Sequence, residues 1–431
     1  MLRRFLAIGA GAAAVFLVTG MASLGADVAA AGPITEVSHA CRGQNAEVEL
    51  ATWHRYVYVE WMGCNNSIGF ARSADGGRTW NAPVVMSGSS GAWDPALAVS
   101  PEGVLYVSFM KSSNTYTYPV VETSFDFGRT FRPQIVLPPN QNNWGDRDFI
   151  AAGPHGVLYL TWDYGPSASL LRYICAPNGS CAFANGDLNV VIQKSTDYGR
   201  TWGPMAHVSP GFPASGGDSA PLLVEPDGRI DLSYQGYNIY NLKTYAMSPA
   251  YTYFTSSTDG GKTWSPPVQV GPSAGTMSLA EWWIDGAIGS DSAGNLYITW
   301  DTQGLNRDIG WLSYSTDHGR TWSAPIRVTP DNDNATHIVQ VAGGARGVAY
   351  VGWLADNSPR GYALYLRTYS ITRGWRSGPK RISRHYGSSA IWPGDTFGIS
   401  TGAGRLQLSW GGAVSGSPNS EIFAAPVSVS G

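Results

Sequence analysis

A single short pattern, Ser-x-Asp-x-Gly-x-Thr followed by an aromatic residue, recurs along this chain of 431 residues. Its five copies occupy residues 73–80, 124–131, 195–202, 257–264 and 315–322. Each copy predicts a tight turn, because the Asp carboxylate can accept backbone N–H groups, the Gly can take a positive φ angle and the aromatic ring can pack underneath. Repetition on this scale predicts one repeat domain, although the length alone would allow two or three domains.

A strand pattern accompanies these turns. Seven segments alternate as a strand with two different faces does, and each ends in an aromatic residue. They occupy residues 57–61, 105–109, 158–162, 230–234, 296–300, 349–353 and 406–410. No intact turn pattern follows the last two, and the sixth unit keeps only a remnant at 370–375. The chain therefore contains seven units.

The units predict an all-β ring. After each turn comes a fourth strand such as 83–86, but the seventh unit has room for only three strands before the chain ends. The segment 33–38 matches those fourth strands, so we expect a seven-bladed β-propeller whose ring is closed by its own N-terminal strand and has no free edge. In the alternative, residues 426–429 form the fourth strand themselves and the N-terminus lies outside the ring.

The N-terminus and the cysteines predict export. A basic start, an apolar run and small residues near position 30 indicate a signal peptide over residues 1–31, which leaves one domain over 32–431. An uncleaved anchor is the alternative. The four cysteines are expected to form disulfides outside the cell. Cys175 pairs with Cys181 across a turn-forming stretch, and Cys41 pairs with Cys64 because both lie on one face of the first blade.

The five turn patterns resemble the Asp box, or BNR repeat, of the sialidase superfamily, and the resemblance extends over the whole mature chain. It implies a β-propeller, for which six blades, as in sialidases, is the alternative count. It also suggests action on glycans. Sialidases bind the carboxylate of sialic acid through three arginines, but here only Arg147 lies at the entrance of an innermost strand. Arg307, Arg360 and Arg384 lie in other loops of the same face.

Candidate site residues lie on the face opposite the Asp boxes, where the long loops collect. An Asp recurs where these loops enter the innermost strands, and Asn45 and His337 take the corresponding places in the first and sixth blades. The recurring residues are Asp94, Asp148, Asp218, Asp285 and Asp395. They are expected either to bind a sugar or a cation, or simply to accept hydrogen bonds within each loop.

Residues that depart from the repeat carry more functional information. Five tryptophans of these loops, Trp93, Trp144, Trp282, Trp283 and Trp392, have the composition of a sugar-stacking surface. Glycoside hydrolysis needs one protonated and one ionised carboxyl. We therefore predict Asp148 and Asp285 as catalytic residues, with Arg147 and Glu281 beside them. Substrate binding is assigned to the five tryptophans and to Asp94, Asp218, His337 and Asp395.

The sequence favours a secreted, sialidase-like glycoside hydrolase. One alternative is a propeller that binds glycans or proteins without catalysis. A second is a polysaccharide lyase that uses His39, Arg42, His337, Arg384, His385 and Tyr386. The net charge of −3 provides no basic stripe for nucleic acid. We expect a monomer that acts on a glycan, with no cofactor, no metal and no membrane contact after signal cleavage.

Overall fold

The computed structural model describes most of the chain from residue 28 onward. It covers residues 28–136, 138, 141–165, 173–175, 181–183, 189–209, 215–218, 220–241, 246–247, 251–271, 286–302, 309–330, 336–356, 362–383, 391–402, 404–414 and 416–429. Only the backbone is described for residues 28–30, 173–175, 181–183, 215–218, 237–241, 246–247, 302, 336–337 and 356. Every regular element in these ranges is a β-strand. None of the described segments forms a helix long and apolar enough to span a bilayer.

The strands form seven small antiparallel sheets, which are the blades of a propeller. Two short strands, β1 (Val28–Ala31) and β2 (Thr35–Glu36), precede the first blade. Blade 1 contains β3 (Ala46–Trp53), β4 (Tyr56–Met62), β5 (Ile68–Ser73) and β6 (Val84–Val85). Blade 2 contains β7 (Trp93–Val99), β8 (Leu105–Ser112), β9 (Thr117–Ser124) and β10 (Arg132–Ile135).

The next two blades carry additional strands. Blade 3 contains β11 (Trp144–Ala152), β12 (Leu158–Gly165), β15 (Asn189–Ser195) and β16 (Ala206–His207), with a separate hairpin of β13 (Tyr173–Cys175) and β14 (Cys181–Phe183). Blade 4 contains β17 (Ser215–Asp218), β18 (Leu222–Val224), β19 (Ile230–Asn241), β20 (Ala246–Met247), β21 (Tyr251–Ser257) and β22 (Val268–Gln269).

The last three blades complete the ring. Blade 5 contains β23 (Ala287–Ser290), β24 (Leu296–Thr302), β25 (Ile309–Ser315) and β26 (Ile326–Arg327). Blade 6 contains β27 (Thr336–Gly343), β28 (Val348–Asp356), β29 (Tyr362–Ser370), β30 (Gly374–Trp375) and β31 (Lys380–Arg381). Blade 7 contains β32 (Gly398–Gly402), β33 (Arg405–Ala413) and β34 (Ser420–Val429), joined by β1 and β2. The predicted count of seven blades is confirmed.

The core lies between the blades. On β4, Val57, Val59 and Trp61 pack toward blade 7, while Tyr58 packs toward blade 2. Each second strand is buried on both faces in this way, and its polar residues, such as Glu60 and Ser108, are buried as well. Trp61, Trp162 and Trp353 from three different second strands are among the largest fully buried side chains.

Ring closure occurs as predicted. Thr35 and Glu36 of β2 pair with Ala424 and Phe423 of β34, and the Val37 amide continues the ladder by donating to the Ile422 carbonyl at 2.8 Å. Residues 426–429 belong to β34, the third strand, so the alternative in which they form the fourth strand is wrong. β1, which lies in the predicted signal segment, pairs with the end of β34.

The Asp boxes form the predicted turns. In blade 1, Asp75 Oδ1 accepts the amides of Arg78 and Thr79 at 3.1 and 2.9 Å, and Oδ2 accepts the Thr79 hydroxyl at 2.6 Å. The Ser73 hydroxyl donates to Asp75 and accepts the Gly77 amide. Gly76 and Gly77 both have positive φ angles. The same Ser–Asp–Thr network recurs in the other four boxes.

A disulfide fastens the start of the ring. Cys41 and Cys64 are bonded, as predicted, and tie the segment after β2 to the loop between β4 and β5. Cys175 and Cys181 are Cα partners at the end of the β13–β14 hairpin. Their side chains fall outside the described part of the chain, so that disulfide stays a prediction.

Candidate functional site at the channel mouth

The innermost strands begin with β-bulges. The strand register shifts at Glu47 in blade 1, at Asp94 in blade 2 and at Arg147 in blade 3. All three residues have φ angles between 42° and 49°, a conformation that side chains other than Gly rarely adopt. A bulge redirects a side chain, and such strain is concentrated at functional sites. We call Glu47, Asp94 and Arg147 the bulge residues.

The bulges revise the alignment between blades. Arg147, and not Asp148, takes the place that Asp94 has in blade 2, and in blade 1 the place belongs to Glu47 instead of Asn45. Asn45 has a structural role, because it accepts the indole N–H of Trp61 and donates to Glu421. In blade 6 the register shifts at His337.

Arg147 lies at the centre of a group of carboxyls. Its guanidinium Nη1 lies 3.8 Å from Asp94 Oδ1, and Nη2 lies 3.6 Å from Asp395 Oδ2 in blade 7. Its amide donates to Asp94 Oδ2 at 2.9 Å. The three side chains are 7, 8 and 15% exposed, so Asp395 is the most accessible of them. Asp94 thus holds the loop of the neighbouring blade as well as facing the guanidinium.

Two further carboxyls have raised pKa values. Burial raises the pKa of Glu47 well above its ordinary value, with the nearby Asp94 and Asp395 adding to the rise and Arg147 opposing it. Burial and Asp94 also raise the pKa of Asp146, against the opposing effects of Trp93 and Arg147. Both acids lie within hydrogen-bonding reach of Asp94, to which they can donate. Two carboxyls with raised pKa values are therefore neighbours of Asp94.

Tryptophans lie at the edge of this cluster. The Trp93 indole N–H donates to Asp146 Oδ1 at 2.5 Å, and that of Trp392 donates to Asp395 Oδ1 at 3.0 Å. Trp144 begins β11 two residues before Asp146. All three indoles are partly exposed. The blades of a propeller surround a central channel, and these residues lie where innermost strands begin. We call Glu47, Asp94, Asp146, Arg147 and Asp395, with Trp93 and Trp392, the channel-mouth cluster.

A close approach of backbones positions one side of the cluster. Gly394 has a φ angle of 108°, and a Cβ atom there would collide with the backbone of Glu47. The Glu47 amide donates to the Pro393 carbonyl at 3.3 Å, and Gln44 donates to the Trp392 carbonyl. Blade 7 therefore presents Trp392 and Asp395 directly beside Glu47 of blade 1.

The predicted catalytic residues separate into two groups. Asp148 is 1% exposed, and burial raises its pKa, with the Ser108 hydroxyl opposing that rise. It lies under the channel-mouth cluster, and its catalytic role stays a prediction. Asp285, Glu281, Trp282 and Trp283 lie outside the described residues. So do the side chains of Asp218, at the end of β17, and of His337 in β27.

The lyase constellation is only partly within the described chain. His39 and Arg42 are exposed, and His39 Nδ1 lies 3.3 Å from the Glu36 carbonyl. Residues 384–386 lie outside the described ranges. Within those ranges, no three His, Cys, Asp or Glu side chains are grouped as metal ligands.

Sequence reasoning did not select Glu47. Its signal was a glutamate one residue inside an innermost strand, and Glu49 two residues later repeats that signal. Only the bulge, which a sequence pattern of period two does not show, turns that side chain toward Arg147.

Comparisons with known proteins agree with this architecture. The BNR/Asp-box repeat family model matches residues 313–324. A sialidase from Micromonospora viridifaciens is 26% identical over 311 residues, which are 66% of this chain but 45% of that protein. The chain thus aligns with about half the length of this curated relative.

Solved structures share the fold at low identity. An ulvan lyase, solved with a glucuronate–sulfated rhamnose ligand, is 12% identical with a TM-score of 0.58, over 90% of this chain and 95% of that one. A protein of unknown function from Dyadobacter fermentans is 16% identical with a TM-score of 0.52, over 79% and 95%. Its five Asp boxes, the matching repeat model and the seven-bladed ring make the chain a β-propeller with Asp-box (BNR) repeats that is similar in sequence to a sialidase.

Proposed function

We propose that the protein is a glycoside hydrolase that acts on extracellular glycans at the channel-mouth cluster. The observation that carries the proposal is that Glu47, whose pKa burial raises well above its ordinary value, lies near Asp395, which contacts Arg147 and Trp392. Glycosidic cleavage requires such a pair, one carboxyl as acid and the other as base or nucleophile. The sialidase relative supports hydrolysis, and the lyase of similar fold supports action on a glycan in general.

In this proposal each group has a distinct role. Glu47 gives its proton to the leaving glycosidic oxygen, and Asp395, the most exposed carboxylate, acts at the anomeric carbon or on the attacking water. Overall, water is added across the C–O bond, and the proton that water releases restores the acid. Asp94 and Arg147 are positioning residues, since they hold Glu47 and Asp395 in place. Trp93 and Trp392 provide rings on which a sugar can stack.

The charge of the cluster favours uncharged or amino-bearing sugars. Arg147 already faces two carboxylates, Asp94 and Asp395, so its charge is balanced within the protein. An acidic sugar placed beside Asp395 would be repelled by a like charge. We therefore propose neutral polysaccharides as the main substrates, and sialosides as a second candidate favoured only by the 26% identical sialidase.

The site of action is proposed to be outside the cell. The predicted signal peptide and the Cys41–Cys64 bond support export, because structural disulfides persist in oxidising compartments.

A substrate screen tests the reaction class. The protein is incubated with neutral and uronic polysaccharides and with a fluorogenic sialoside, and products are followed by reducing ends and by ultraviolet absorbance. We expect new reducing ends without a conjugated uronate chromophore, from a neutral polymer. Chromophore formation would establish elimination instead, and retention without products would establish a binding protein. Sialoside turnover that disappears in Arg147→Ala would favour the second candidate.

A further inference from the structure

A second concave site lies between blades 1 and 2, at the Asp-box side of the molecule. It is a cleft of about 400 Å³. One wall is formed by Val84 and Val85 of β6, each 45% exposed, and the other by the Asp-box residues Arg129 and Phe131 of blade 2. Arg72 and Glu122 complete the lining. None of these residues belongs to the channel-mouth cluster.

Glu122 departs from the repeat at this cleft. The position two residues before the box serine is Gln193 in blade 3, Thr255 in blade 4 and Ser313 in blade 5, while blade 1 has the apolar Ala71. In each of these blades the side chain donates a hydrogen bond of 2.8 Å to the carbonyl just after the box, which belongs to Gly203, Ser265 or Ser323. Glu122 makes no such bond with either of its carboxyl oxygens, and its ionised form has no hydrogen to donate. Glu122 therefore does not fill the structural role of its counterparts.

Glu122 has no substitute partner in the described chain. It is fully buried, and neither of its carboxyl oxygens has a hydrogen-bond partner among the described residues. A buried polar group without a partner costs free energy, and a natural protein usually keeps one for a reason such as a missing ligand. Burial raises the pKa of Glu122 to about 7, so near neutral pH the group can either accept or donate.

The remaining lining defines the ligand chemistry. Arg72 and Arg129 have no ion-pair partner among the described residues, and their positive charges disfavour a cationic ligand. Guanidinium donors, a carboxyl that needs donors and an exposed apolar wall suit a ring with many hydroxyl groups and an apolar face. We propose that this cleft is an accessory site that binds a sugar residue of the polymeric substrate. This inference rests on the proposed glycan-directed function.

Binding and catalysis are separable in the test. Retardation of the full chain is measured by electrophoresis in gels containing arabinan, xylan, β-glucan or polygalacturonate. We expect at least one polymer to retard the wild type and Glu47→Gln equally. Glu122→Thr introduces the residue found in blade 4 and should weaken the apparent affinity for the polymer at least fivefold. Arg129→Ala should also weaken it at least fivefold. Arg78→Ala, at the same box position in blade 1 but outside the cleft, should bind as the wild type does.

Several results would overturn the accessory site. They are the absence of retardation by all four polymers, unchanged retardation of Glu122→Thr and Arg129→Ala, or loss of retardation in Glu47→Gln. Unfolding curves of the variants show that a loss of binding is not a loss of folding. If the cleft binds glycan but the protein releases no products, the proposed hydrolase activity is ruled out and the accessory binding site is not.

Discussion

At the scale of single residues, the channel mouth depends on an unusual backbone conformation at three strand entrances. Glu47, Asp94 and Arg147 each take a positive φ angle that costs on the order of 1–3 kcal/mol per residue. Regular strand alternation would place these side chains between blades. Because of the bulges, they meet around the guanidinium of Arg147. Burial and the neighbouring carboxyls then raise the pKa of Glu47 well above its ordinary value.

The pH dependence of hydrolysis should follow Glu47. An acid catalyst works only while it holds its proton, so kcat should fall as pH rises through the raised pKa of Glu47, well above the ordinary value of about 4.3. Asp146 also has a raised pKa and provides the matched control. In a kcat profile from pH 4 to 9, Asp146→Asn should keep the falling limb. If the fall of kcat at high pH disappears in Asp146→Asn, the catalytic acid is Asp146 instead.

Glu122 should make stability fall as pH rises. Below pH 4 it is protonated in both states. Between about pH 4.5 and 7 the unfolded chain ionises while folded Glu122 keeps its proton, which favours unfolding. This shift in the pKa of Glu122 corresponds to a change of roughly 3 kcal/mol in the free energy of unfolding. The unfolding free energy of Glu122→Gln relative to the wild type should therefore increase by about that amount from pH 4.5 to 8 in urea titrations.

The matched control for Glu122 is Glu102. A backbone hydrogen bond from His155 lowers the pKa of Glu102, so its ionised form stabilises the fold above its unfolded pKa. Glu102→Gln should therefore show a difference of the opposite sign, which develops as pH rises toward about 4.5 and stays constant from there to pH 8. A flat difference for Glu122→Gln across the same range would contradict the assignment of a neutral Glu122.

At the scale of elements, the Asp box acts both as a turn and as a contact between blades. Phe127, in the box of blade 2, stacks on Tyr56 of blade 1 with ring centroids 4.7 Å apart. The Gly76 carbonyl in the box of blade 1 accepts a hydrogen bond from Gln407 of blade 7 at 3.2 Å. Each box therefore stabilises its own blade and fixes the angle to the preceding one.

Removing one box carboxylate should weaken the ring. Although burial opposes it, hydrogen bonding from Thr79 and Ser73 holds the pKa of Asp75 at about 2. Asp75→Ala removes these bonds and should lower the unfolding free energy by about 2 kcal/mol at pH 7. Arg78→Ala keeps the backbone donor and should change it by less than about 0.5 kcal/mol. Equal urea midpoints for both variants would show that the box network contributes nothing.

Elements were more predictable from sequence than the site was. The repeated box and the aromatic strand ends are local signals, so the seven blades, the closing strand and the Cys41–Cys64 pair all followed from them. The site depends on nonlocal geometry. A one-residue bulge exchanges the positions of Arg147 and Asp148, and it brings Glu47 to a place that the sequence alignment gave to Asn45. Bulges have no reliable sequence pattern, which is why Glu47 was missed.

At the scale of the whole molecule, the ring is closed by few residues from the N-terminal segment. Besides the pairing of β2, the Ser38 hydroxyl donates to Glu421 at 2.8 Å and accepts the Ile422 amide at 2.9 Å. Val37 is fully buried in the core shared by blades 7 and 1. Closure therefore combines backbone pairing, one buried side chain and a polar clamp next to the disulfide.

Removing the closing strand should destabilise the whole ring. A chain that begins at Ser38 lacks β2 and Val37, whose burial alone is worth about 1.5–3 kcal/mol. We expect a loss of at least that size in unfolding free energy, and self-association through the exposed edge of β34. The control begins at Gly32, the predicted mature start. A monomeric Ser38 chain of unchanged stability, in urea unfolding and size-exclusion chromatography, would show that the strand is dispensable.

We propose that Glu47 is the catalytic acid of a glycoside hydrolase at the channel mouth. It is tested most directly by the rate of reducing-end release from the best neutral polysaccharide, for the wild type and for Glu47→Gln at pH 5. Gln keeps the size of the side chain but cannot supply the proton. We expect the rate of Glu47→Gln to be about 10²- to 10⁴-fold lower than that of the wild type, with unchanged retention on the polymer. Full activity in Glu47→Gln would contradict it.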